Sequence, residues 1–66
     1  MIKLCVGEVV QVYQKPVSGE EPEGRAVLLE MVREDEGDGL SMWYVRFVRD
    51  RFTALRTINA YNAQRE

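Results

Sequence analysis

Histidine is absent from this chain, cysteine occurs once, and no apolar run approaches the length of a membrane span. Without histidine there is no imidazole base near neutral pH, the usual activator of a serine or cysteine nucleophile. Cys5 alone can form no internal disulfide, and a zinc site needs several Cys or His ligands. No metal and no cofactor is therefore expected, and the expected setting is a reducing cytoplasm. The first ten residues, MIKLCVGEVV, hold one lysine and an apolar stretch broken at Gly7 and Glu8. That stretch is too short for a signal-peptide core or a membrane helix.

What is present is an ordinary globular composition, 45% hydrophobic and 30% charged in 66 residues. The chain has room for one domain with a small core, and such domains often lean on a partner. The net charge of −2 hides an asymmetry: residues 1–41 balance at −5 and residues 42–66 at +3. The chain is polarised rather than basic, which weakens a general affinity for nucleic acid.

Strand signals dominate. Glu8 to Tyr13 is β-branched and aromatic, bracketed by Gly7 and Lys15-Pro16. Residues 16–24 (PVSGEEPEG) read as a loop. Residues 25–33 (RAVLLEMVR) form a second apolar run, and 34–39 (EDEGDG) a solvated turn. Residues 42–48 (MWYVRFV) alternate, with Trp43, Val45 and Phe47 on one face. Arg49-Asp50-Arg51 reads as a tight hairpin turn and residues 52–58 as a short fourth strand. A helical turn could fill the tail, 59–66.

This order predicts an all-β fold, a small barrel of four to five antiparallel strands over residues 1–58. The layout resembles the SH3-like barrels of the Tudor and KOW types. It does so through Gly7-x-Val9, Glu23-Gly24-x-Ala26 and Trp43-x-Val45-x-Phe47. Val10-Gln11-Val12-Tyr13 also resembles the Val-Gln-Ile-Tyr strand of the plasmid-encoded SH3-like dihydrofolate reductases, whose active pore takes four chains. That motif lies near the C-terminal end in the family and in the first strand here.

Candidate sites are few. Ser18 and Ser41 fall in predicted loops with no evident base, and Cys5 reads as a packed, inert thiol. The carboxylates cluster in turns, whereas a general acid needs a desolvated cleft. The EDEGDG turn lacks the spacing of a calcium loop. No catalytic residue is assigned.

The second strand is the most informative segment. Ala26, Leu28 and Val32 are apolar on one face, and Val27, Leu29 and Met31 on the other. The expected register puts Val27, Leu29 and Met31 in the core with Trp43, which turns Leu28 and Val32 outward beside Tyr44 and Val48. A register slipped by one would expose the other row instead. An uncovered apolar row marks an interface; strong bending that buries parts of both rows is the alternative. The expected activity is a non-enzymatic interaction module binding a protein, or another copy of itself, through Leu28, Val32, Tyr44, Arg46 and Val48. The alternative is a nucleic-acid binder using Arg46, Arg49, Arg51 and Arg56, since arginine suits planar contacts to phosphate. A more distant one is an enzyme whose site forms only between chains. The small size would also suit an accessory protein of a phage or mobile element.

Overall fold

The β-branched run after Gly7 forms a strand, β1 (Val9–Lys15), and three more follow: β2 (Glu20–Arg33), β3 (Leu40–Phe47) and β4 (Thr53–Asn59). The computed structural model describes residues 4–61, and no helix occurs among them. The expected tail turn falls largely on residues 62–66, outside the described residues. The four strands are antiparallel in the order β1-β2-β3-β4, curled into a half-barrel. This is the predicted all-β small barrel, with four strands rather than five.

β2 is longer than its sequence suggests, because the expected loop 16–24 shrinks to residues 16–19. Pro22 and Gly24 read as loop formers, yet both are paired with β1, Pro22 opposite Tyr13 and Gly24 opposite Val12. Gly24 adopts φ +135°, a conformation open to glycine and costly for other residues. Just beyond it β2 begins to pair with β3, at Ala26 opposite Phe47, while it stays paired with β1 as far as Val27 opposite Val9.

Cross-strand ladders build the core, since directly opposite residues share a face. Val10, Ala26 and Phe47 form one ladder; Leu28, Val45 and Ala54 form the next; Met31, Trp43 and Arg56 form the third. Val10, Val12, Ala26, Leu28 and Val45 are fully buried. Trp43 is buried as predicted, and its indole Nε1 donates to Ser41 Oγ at 2.8 Å. Ser41 is therefore no loop serine: it lies in β3, buried, as the polar partner of the core tryptophan.

The expected register of β2 is corrected here. Leu28 is 0% exposed and Leu29 39% exposed, the reverse of the sequence reading. The cause is a bulge: Leu28 lies opposite Val45, but Glu30 lies opposite Tyr44, so Leu29 is an extra residue. Ala26 and Leu28 face inward before it, and Met31 faces inward after it. A second irregularity at Val32 sets Arg33 opposite Met42.

Cys5 is likewise exposed rather than packed. Leu4 takes the core position, and a turn closed by Glu8 N donating to Cys5 O at 3.1 Å turns the thiol away. At the other end, Ala60 N donates to Gly39 O at 2.9 Å, and the Tyr61 ring lies where a Gly39 side chain would be.

The register makes a paired prediction. Leu28→Glu should unfold the domain, costing more than the ~2–5 kcal/mol of a buried Leu→Ala change. A chain of this length has only about 3–10 kcal/mol to lose. Leu29→Glu should melt cooperatively within a few degrees of the parent. Thermal melts of both variants decide it; the opposite ranking would restore the register read from sequence.

Candidate functional site

The bulge after Leu28 re-aims the outer face of the sheet, a common use of bulges. Three rungs cross that face: Arg33, Met42 and Thr57; Glu30, Tyr44 and Leu55; Val27, Arg46 and Thr53. Leu29 joins the middle rung from the bulge. Tyr44 is 44% exposed and Leu55 39%, and among the described residues no element packs over them. Of the five residues expected at an interface, Val32, Tyr44, Arg46 and Val48 are exposed, and Leu28 is removed to the core.

Sequence reasoning missed Leu29 and Leu55. A signal existed for Leu29: inward apolar positions at 26, 28 and 31 demand one extra residue between the last two. Leu55 was hidden because its neighbour Arg56 occupies the inward row with Ala54 and Ile58.

The four arginines expected to act together do not form one surface. Arg56 lies on the inner side, where Nε donates to Glu23 Oε1 at 2.8 Å and Nη2 to Oε2 at 3.1 Å. Its guanidinium also sits 5.7 Å from the centre of the Phe47 ring. Hydrogen bonding to Glu23 holds the Arg56 guanidinium above its ordinary pKa, against a smaller opposing pull from desolvation. A group with a raised folded pKa contributes fully below its unfolded pKa, so on the arginine side this stabilisation is lost only in strong alkali. Arg46 belongs to the outer face, and Arg49 and Arg51 to the β3–β4 hairpin. Among the described residues these three make no ion pair.

That hairpin is tight, as predicted: Phe47 N donates to Phe52 O at 2.9 Å and Arg51 N to Phe47 O at 2.7 Å. Phe52 stacks on Phe47 with ring centres 4.7 Å apart and stays half exposed. The carboxylates of the β2–β3 turn serve their own loop. Asp35 accepts from Gly37 N at 2.9 Å, Asp38 from Leu40 N at 3.0 Å, and Glu36 pairs with Arg33. Among the described residues no three His, Cys, Asp or Glu side chains converge on a common point. Ser18 donates to Glu20 Oε1 at 2.9 Å on an open turn. Val10 and Val12 of the reductase-like strand are core residues, leaving only Gln11 and Tyr13 of that motif off the core.

The chain matches no known protein family, no curated protein and no solved structure. No helix among the described residues is long and apolar enough to cross a membrane.

The arginines should separate by stability. Arg56→Ala leaves the partly buried Glu23 carboxylate without its charged donor and should cost about 1.5–3 kcal/mol. Arg49→Ala and Arg51→Ala should stay within about 0.5 kcal/mol of the parent. Urea denaturation measures all three, and equal effects would put Arg56 back among the free arginines.

Proposed function

We propose that this chain is a non-enzymatic interaction module that binds a protein through the outer face of β2, β3 and β4. The observation that carries the proposal is the uncovered middle rung, where Leu29, Tyr44 and Leu55 stand exposed together. Apolar groups gathered on one face of so small a domain are costly to leave in water, and such patches mark contact surfaces. Tyrosine at the centre suits this use, joining a large apolar ring to a polar tip. Val32 and Val48 extend the patch, and Arg46 gives it a charged border.

Two features favour the face over the sheet edges. Phe47 N bonds Phe52 O, so by antiparallel alternation the Leu55 carbonyl points to the open edge of β4. There Arg56 Nη1 donates to it at 2.9 Å, which blunts that edge against another strand. Near the end of β4, Asn59 Nδ2 donates to Pro16 O at 3.1 Å and ties it to the β1–β2 turn. The exposed thiol of Cys5 suits a reducing compartment such as the cytoplasm, where it stays unpaired.

A second reading has its own observation. Arg46, Arg49 and Arg51 are exposed near the half-exposed ring of Phe52, and guanidinium groups with aromatic faces are what nucleic acids bind.

Tyr44→Glu and Leu55→Glu should keep the parent melting temperature and lose the bound protein in a pull-down. Arg49→Ala should keep it. If instead DNA or RNA binds at micromolar affinity, with a salt slope that falls by about one unit per removed arginine, the site belongs to nucleic acid.

A further inference from the structure

We propose that the partner of the outer face is the same face of a second copy of this chain. The two copies pair about a two-fold axis along Val27, Tyr44 and Leu55, each Glu30 facing the partner's Arg46. The inference rests on the reading of this face as a protein-binding surface and commits it to one occupant.

The charges on the face lead to this arrangement. Its three rungs carry three charged side chains: Arg33, Glu30 and Arg46. Arg33 is held by Glu36 at 3.4 Å. Glu30 and Arg46 make no ion pair among the described residues. They lie on diagonal positions of neighbouring strands, about 7–8 Å apart on a regular sheet. Val27, Tyr44 and Leu55 run between them as an oblique apolar row.

A face with an apolar row, one acid on one flank and one base on the other is self-complementary. A two-fold along the row lays Tyr44 near the partner's Tyr44 and brings each free charge over its opposite. Isologous contacts require this property: the same patch must serve as both halves of the interface. On the regular strand lattice the axis sets the strands of the two sheets about 70° apart, nearer to the orthogonal than to the aligned way in which sheets pack. A foreign partner of one charge sign would meet a like charge at one flank.

The footprint limits the strength. Three strands of eight residues cover about 400 Å² at ordinary sheet spacings. That is half the area one partner gives to a standard interface, so the dimer should be weak and dissociate freely.

Sedimentation equilibrium across the micromolar range tests this with charge reversals that leave the core untouched. The parent should move from 7.6 kDa towards twice that mass as concentration rises. Arg46→Glu and Glu30→Arg should each dimerise at least about tenfold more weakly, since each sets like charges together twice. Mixed in equal amounts, the two variants should recover dimer, because every facing pair is again opposite. The double variant should also dimerise alone. Circular dichroism confirms that each variant is folded.

A parent that stays monomeric into the millimolar range overturns the self-pairing. If Tyr44→Glu still abolishes capture of a protein then, the binding surface stands without it; if not, both fall. A parent dimer unaffected by either single reversal places the contact elsewhere. Single reversals that weaken the dimer but do not rescue each other overturn the two-fold.

Discussion

Between Leu28 and Glu30, strand β2 carries one residue more than β3 opposite it, and beyond that point its side chains change sides. The core requires this. Ala26 and Leu28 must face inward to meet Phe47 and Val45, and Met31 must do so to lie beside Trp43. Strict alternation would put Glu30 against Trp43 instead, burying a carboxylate with no partner at a cost of several kcal/mol. The bulge removes that cost, and its consequence is Leu29 on the outer face. The bulge thus both keeps Glu30 out of the core and adds Leu29 to the outer apolar residues.

The open side of the half-barrel depends on a second contact, between Arg56 and Glu23. The two groups come from β4 and from the part of β2 before Gly24, so their pairing holds the bent half of β2 over the sheet. Both oxygens of Glu23 are engaged, and the pair is sheltered from solvent more than a surface bridge would be. Bidentate arginine–carboxylate pairs of this kind fix orientation as well as distance. The same guanidinium caps the Leu55 carbonyl and lies beside Phe47. An arginine that closes the barrel, blunts an edge and borders an aromatic ring has little left for phosphate.

How much of this was legible depended on whether strict alternation held. In β3 it does, and Trp43, Val45 and Phe47 could be placed inward from the sequence alone. The hairpin at residues 48–52 was legible for a similar reason, since three polar residues between apolar strands leave little choice. In β2 both rows are apolar, so alternation could not decide between them, and the deciding residue was Glu30. Its charge excludes one face only if the strand may skip a residue, a freedom that a simple period-two pattern does not contain. Arg56 failed in a related way: counted as a surface cation by its charge, it is an inward residue whose partner lies 33 positions away. Gly24 and Pro22 read as loop formers because their local preference is for turns. Here the bend at Gly24 lies within a continuous strand.

The distribution of charge bears on which class of partner the domain can hold. The β2–β3 turn and the β3–β4 hairpin lie at opposite ends of β3, so the acidic turn 34–39 and the arginines of the hairpin are held apart by the length of that strand. A duplex approaching the basic end meets Arg46, Arg49 and Arg51, with Asp50 among them. Three phosphate contacts release few counterions, and proteins that hold DNA by charge use about 6–10. A protein surface of modest size does not meet this difficulty. It can engage the central rung by burying Tyr44 and Leu55, and it needs charge only at the two flanks, at Glu30 and Arg46, which make no ion pair among the described residues.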